Sequence, residues 1–258
     1  MQRSEGRIRS AARNPLFPLA VALACLSPAI GATHKATGLV VSIDRTAGVI
    51  LVSHREIPGV MPAMSMPLRV DRLADLRGVE PGARIRFDLV LGGGKSLARN
   101  VRIEKPAPED FTPPAAPNKL VVGAEIPDFE LTTHNGRAFR LSLARGRPVA
   151  IQFIYSRCPL ADVCPRQVSQ FAYVNRKLAG KVTLLSVTLD PTHDTADELS
   201  RYAARWRPTE DWMFLTGSES AIEAVAGRVG VLFCPDDGAM SHTSSTALID
   251  AQGRLRAI

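Results

Sequence analysis

Val149-Ala150-Ile151-Gln152-Phe153-Ile154-Tyr155-Ser156-Arg157-Cys158-Pro159-Leu160-Ala161-Asp162-Val163-Cys164-Pro165-Arg166-Gln167 joins an apolar run to two cysteines, each followed by proline. Residues 149–155 are β-branched and aromatic with almost no charge, which reads as a buried strand. The polar, helix-compatible segment after Cys164 places the pair where a strand hands over to a helix. Backbone N–H groups and the helix dipole there favour a thiolate, the form that attacks disulfides or binds soft metals.

Outward from this stretch, strand and helix alternate. Residues 129–131 and 138–141 flank His134-Asn135-Gly136 and read as a hairpin. Residues 166–178 read as a helix stopped by Gly180, 182–189 as a second core strand, and 195–204 as a helix with Asp194 as its N-cap. Residues 221–229 add a helix, and 246–250 with 255–258 a last hairpin. This is thioredoxin-like α/β order, without the usual closing helix because the sequence stops at Ile258. Upstream, residues 106–118 contain five prolines and little to bury, which predicts a semi-rigid linker and a domain boundary. Before it, short strand candidates at 38–44, 49–54, 67–70, 83–91 and 97–104 predict a small all-β barrel of the oligonucleotide/oligosaccharide-binding (OB-like) type. The expected domains are thus 33–105 (barrel), 106–118 (linker) and 119–258 (α/β), after an export signal at 1–32.

That signal is read from Arg3, Arg7, Arg9 and Arg13, an apolar run at 15–26, and small residues at Ala29, Gly31 and Ala32. It predicts export to the periplasm. Ala22-Leu23-Ala24-Cys25 is also a loose lipobox, which would tether the chain to a membrane. Of the net charge of +7, +3 lies in residues 1–32, and the remaining Arg are dispersed. Without basic blocks interleaved with aromatics there is no nucleic-acid footprint.

Two sites stand out. Three of the six methionines fall in Met61-Pro62-Ala63-Met64-Ser65-Met66. Met64 and Met66 share a face if the segment is extended, and His54 ends the preceding strand candidate. Thioethers with one imidazole suit Cu(I) and poorly suit Zn or Mg. A Met-rich core patch is the plain alternative, against which Pro58, Pro62 and Pro67 argue, since each lacks a ladder donor. The second site is the cysteine pair, with five residues between Cys158 and Cys164 rather than the two of a dithiol redox loop. A structural disulfide is its plain alternative. His242 lies before the strand candidate at 246–250, in a loop with no proline between Ala239 and Asp250. Disulfide oxidoreductases of this fold carry a cis-proline there, so a His in its place favours metal binding. Cys234 reads as a buried bystander, Asp190 as a residue that orders the loop, and His34, His134 and His193 as surface residues.

The upstream segment, from His54 through Ile57-Pro58 to Met61-Pro62-Ala63-Met64-Ser65-Met66, resembles the CusF-like family of periplasmic copper proteins. The resemblance implies a β-barrel holding Cu(I) through His54, Met64 and Met66. This chain has Met61 where efflux-linked members place a Trp over the metal, so Met61 is a fourth ligand or a cover. Residues from about 120 to 258 resemble the Sco/SenC family of copper chaperones. The matching residues are Cys158-Pro159, Asp162-Val163-Cys164-Pro165, Ser186-Val187-Thr188-Leu189-Asp190-Pro191, Asp194-Thr195 and His242. That resemblance implies a thioredoxin fold with Cys158, Cys164 and His242 as ligands of Cu(I) or Cu(II). It also implies delivery to the CuA centre of cytochrome c oxidase, whose subunit II would be the acceptor. The family's commoner spacing has three residues between the cysteines, so Leu160 and Ala161 are extra here.

The leading expectation is therefore an exported two-site metallochaperone rather than an enzyme, with a copper donor upstream. The tether would favour a Met-to-Cys handover by raising effective concentration. A thiol–disulfide reductase is the alternative, in which Cys158 and Cys164 are catalytic and His242 and the methionines are dispensable. A zinc-bound or disulfide-stabilised interaction module is the third reading, since Cys2His also suits zinc.

Overall fold

The computed structural model describes residues 32–92, 94–114, 118–160 and 164–258. Apart from Ala32, the export signal lies outside the described residues, as does the lipobox at Cys25.

The N-terminal part is built from β1 (Ala32–Asp44), β2 (Val49–His54), β3 (Met64–Val70), β4 (Arg84–Gly92) and β5 (Lys95–Lys105). They ring in the order β1-β2-β3-β5-β4, and β4 returns to β1. The ring's thinnest seam is the parallel β3–β5 contact, Arg69 opposite Leu97 and Val70 opposite Ala98. The first turn forms because Asp44 Oδ1 accepts the N–H groups of Thr46 (3.0 Å) and Ala47 (2.8 Å). Val40, Ile50, Val52, Leu68, Ile85, Phe87 and Leu89 fill the interior, the expected alternation of an OB-like barrel. One expectation changes. Met64-Ser65-Met66 belongs to β3, so the strand begins three residues before the expected 67–70. Pro67 is tolerated because there β3 pairs only with β2, leaving the edge where a missing donor is harmless.

The second part is a seven-stranded sheet in the order β14-β13-β8-β9-β10-β6-β7. Its strands are β6 (Glu130–Thr133), β7 (Ala138–Arg140), β8 (Val149–Ile154), β9 (Thr183–Thr188), β10 (Trp212–Thr216), β13 (Thr246–Ile249) and β14 (Leu255–Ala257). β8, β9 and β10 are parallel, and all residues of β8 and β9 are buried. Helices α1 (Cys164–Lys177) and α2 (Ala196–Ala204) cover one face, against Ala150, Ile154 and Phe214. Helix α3 (Glu219–Arg228) covers the other, against Ile151, Phe153 and Val187. The thioredoxin-like arrangement is therefore present. The N-cap of α2 is Thr195, whose hydroxyl accepts the Glu198 N–H, and not Asp194, which is needed elsewhere.

A third sheet was not anticipated from sequence. β11 (Phe233–Asp236) and β12 (Ala239–His242) form a hairpin apart from the main sheet. Its two-residue turn, Asp237 (φ 48°) and Gly238 (φ 79°), has both residues left-handed, the geometry whose twist matches paired strands. Strand alternation gives the hairpin two different faces. Cys234 and Ser241, cross-strand partners, turn toward the barrel. Cys234 packs with Leu39, Val41 and Leu51, and Ser241 Oγ lies 2.8 Å from Ser53 Oγ. Phe233 and Met240 turn instead to the α/β core. At the hairpin tip Arg84 of the barrel pairs with Asp236 and, at 2.6 Å, with Asp237. The 106–118 segment takes part too: Phe111 joins the Cys234 cluster and covers Gly82, where a Cβ would lie 2.5 Å from its ring. Residues 31–258 thus pack as one compact unit.

Arg84 and Asp236 are both largely buried (side chains 19% and 18% exposed), so a carboxylate at position 84 leaves like charges in a poorly solvated seam. Arg84→Glu is expected to loosen the seam and raise thermolysin cleavage before Phe111 roughly ten-fold. Unchanged cleavage would show that the contact does not hold the two parts together.

Candidate metal centre

The cysteine loop is positioned by two buried carboxylates from the β9–α2 connection. Asp194 accepts the Ser156 N–H (3.0 Å), the Ser156 hydroxyl and the Thr188 hydroxyl (2.6 Å). Asp190 accepts from Arg157 Nε at 2.6 Å, which orders the residue just before Cys158. Asp190 therefore does order the loop, and Asp194, read from sequence as a helix cap, does so as well.

Cys158, Cys164 and Cys234 are free thiols. Cys158 is half-buried, and Cys164, fully buried, is the first residue of α1. Asp162 and Val163 lie outside the described residues. The two sulfurs have opposite acidities. The neighbouring Cys164 thiol, the backbone at Leu160 and Cys164 and the Tyr155 hydroxyl lower the Cys158 pKa to about 5, and Cys158 Sγ lies 3.8 Å from the Leu160 carbonyl oxygen. Cys164 is pushed far up by its hydrogen bond with Cys158 and by burial. The pair therefore titrates together, with Cys158 losing its proton well before Cys164.

His242 ends β12, its ring 5.8 Å from that of Tyr155 in an edge-on contact. Its Nδ1 is 3.0 Å from the Thr243 carbonyl oxygen, so a neutral ring donates there and keeps Nε2 as a lone-pair donor to a metal. Burial lowers its pKa and favours that neutral form. Among the described residues there is no cis peptide, so the cis-proline of an oxidoreductase has no counterpart beside His242. Nor do three His, Cys, Asp or Glu side chains converge closely enough to hold an ion. Tyr155 touches both Cys158 and His242, a residue that the sequence reading passed over as the end of a strand.

In the barrel, His54 stands directly opposite Met64 on β3, and Val52 opposite Met66. His54 is 2% exposed, its Nδ1 lies 2.7 Å from the Arg55 carbonyl oxygen, and its Nε2 has no hydrogen-bond partner among the described residues. A buried orphan nitrogen is costly unless something else uses it. Met66 and Met61 pack against the barrel core, and Met64 is 46% exposed at the rim. The two histidines share one device, an Nδ1 held by the next residue's carbonyl, which is how ligating imidazoles are oriented.

Met64 lines a cavity of about 550 Å³ whose far wall holds Tyr155, Cys158, Met240 and His242. Met240 was missed from sequence although Met-x-His at strand spacing places both on one face. Cys234 stays outside the cavity, its pKa pushed up to about 12 by burial and by Asp236. Of the histidines read as surface residues, His193 is exposed, His34 is half-buried, and half-buried His134 packs edge-on against Phe214.

The profile of the SCO1/SenC family matches residues 120–258, more than half of the chain. The chain belongs to the SCO1/SenC family. Its N-terminal region, residues 33–105, matches the profile described as copper binding periplasmic protein CusF. The SCO1/SenC part is similar to a Stutzerimonas stutzeri protein named for copper binding, 28% identical over 140 residues, 51% of this chain and 67% of that one. The mitochondrial SCO1 homolog of Mus musculus is 29% identical over 138 residues, 49% of this chain but only 47% of the mouse protein. Among solved structures, copper-bound ScoI of Bradyrhizobium japonicum is 30% identical and covers 52% of this chain and 88% of its own, with a TM-score of 0.46.

With a pKa of about 5, Cys158 is ionised above that pH and protonated below it. Iodoacetamide at neutral pH should modify Cys158 well before Cys164 and Cys234, with a rate that falls through a midpoint near pH 5 (peptide mass spectrometry). A midpoint in the ordinary thiol range, about 8.5, would contradict that order of titration. Asp194→Ala strands three donors around the loop and should cost about 3 kcal/mol in denaturant unfolding.

Proposed function

We propose that this protein is an exported copper carrier, in which the barrel takes Cu(I) and the Cys158/Cys164/His242 site passes copper to an acceptor protein. The observation that carries the reading is the matched pair of oriented histidines. Each has its Nδ1 held by a backbone carbonyl and has soft sulfur near it, thioethers at His54 and the Cys158 thiol in the cavity that His242 lines. In the barrel His54, Met64 and Met66 are the proposed ligands, with Met61 as a cover. Both family matches support copper as the cargo.

Cargo binding at the second site needs a proton balance. Cys158 offers a thiolate, and Cys164 must release its proton to solvent as it joins the ion. His242 and the cysteine pair must also close on one another, and Tyr155, touching both sides, is the side chain that yields. The proposed acceptor is the CuA-bearing subunit II of cytochrome c oxidase, and the proposed compartment is the periplasm. The oxidase-linked role is carried over from the resemblance to the SCO1/SenC family.

A second reading is favoured by one observation. An accessible thiolate over a buried, protonated partner thiol is also the arrangement of a nucleophilic and a resolving cysteine. Copper would then be incidental to the dithiol.

The test is metal analysis with X-ray absorption on the full chain purified under reducing conditions. Two Cu(I) per chain are expected, falling to one in His242→Ala or Cys158→Ser and to one in His54→Ala with Met64→Leu. Zinc in place of copper would overturn the reading. Full disulfide-reducing turnover in a His242→Ala chain that binds no copper at the cysteines would favour the reductase.

A further inference from the structure

The barrel and the cysteine loop face one another across more than one surface. The 550 Å³ cavity has Met64 on one wall and Cys158 and His242 on the other. A neighbouring cavity of about 640 Å³ sets Met61 and Val60 of the barrel loop opposite Pro159 and Leu160 of the cysteine loop. The hairpin that carries His242 is bonded to the barrel by Ser241–Ser53 and by Arg84 on Asp236 and Asp237. Met64 is the one methionine of the Met61–Met66 motif that lines the wall opposite Cys158; Met66 packs against the barrel core instead.

Resting on the copper reading above, we infer that Cu(I) crosses from barrel to cysteines inside this cavity, through an intermediate held jointly by Met64, Cys158 and His242. The tether alone would allow a handover by diffusion of two separate bodies. The packed seam makes it a ligand exchange within one body. Met64 keeps one Cu–S bond while the Cys158 thiolate and His242 Nε2 form theirs. The His54 and Met66 bonds break one for one as these form, and Met64 is released last as Cys164 gives its proton to solvent and binds. Copper remains Cu(I) throughout, no electron moves, and no free ion enters water. Exposed Met64 is the thioether that can reach across the cavity, and buried His54 is the ligand left behind. Met240, two residues before His242, lines the same cavity.

The intermediate can be trapped by removing the last acceptor and the barrel's imidazole together. A full-length His54→Ala, Cys164→Ser chain labelled with selenomethionine is loaded with one equivalent of Cu(I) and read at the copper absorption edge. Copper scattering from sulfur, a light imidazole atom and one selenium at once is expected, and Met64→Leu added to this chain should remove the selenium while keeping the others. Sulfur and nitrogen without selenium, or selenium that survives Met64→Leu, overturns the inference and leaves the copper reading standing. No copper–sulfur contact at all overturns the copper reading itself. In the otherwise unaltered chain, Met64→Leu should slow the rise of thiolate–Cu(I) absorbance at least ten-fold, and Met66→Leu much less. Equal slowing by both would also overturn it.

Discussion

Alternation along one short hairpin is the constraint on which the rest of this molecule depends. Because neighbouring residues of a strand point to opposite sides, β12 can turn Ser241 toward the barrel and Met240 into the α/β core while ending on His242. β11 does the same with Cys234 and Phe233. A shift of one residue in their pairing would turn His242 to the barrel wall and a serine to the cysteines. The left-handed Asp237-Gly238 turn fixes that register, and Arg84 clamps the tip beside it.

Around that hairpin the structure spends buried polar groups on orientation. Asp194 and Asp190 hold the backbone and side chains ahead of Cys158, and backbone carbonyls hold both imidazoles. Each is a case where a polar group pays its desolvation by fixing a neighbour. The unequal acidities of Cys158 and Cys164 follow from the same economy of partners: one thiol donates, the other accepts, and burial makes the difference large. That inequality suits a soft-metal carrier and a dithiol reductase alike. The imidazole beside it, with no cis-proline, is what tilts the balance.

Much of the fold was readable because local signals were strong. The strand at 49–54 is where alternation placed it, and β8 and β9 were visible as charge-free runs. The misses have physical reasons. The strand expected at 67–70 begins already at Met64, because Pro67 falls where β3 has only one neighbour. Asp194 sits one residue before a helix, the position of a cap, yet a buried loop with three unpaired donors competes for its carboxylate and wins. The hairpin carried an Asp-Gly turn signal, hidden because its strands are only four residues each and Pro235 interrupts one.

The sequence by itself determined the donor chemistry and the fold type of each part. Thiol, thioether and imidazole have fixed softness wherever they stand, and hydrophobic period dictates strand or helix within a few residues. Spacing also put Met64 beside Met66 and Cys164 at a helix start. Only the tertiary structure decided that Met64 and Cys158 share a cavity, that Tyr155 touches both the thiolate and His242, and that Phe111 turns a proline-rich segment into packing. Those relations join residues far apart in the chain across a seam of a few side chains, where the bonded Ser53 and Ser241 stand 188 positions apart. No local period encodes such a seam, because its energy comes from shape and charge that meet only after both halves have folded.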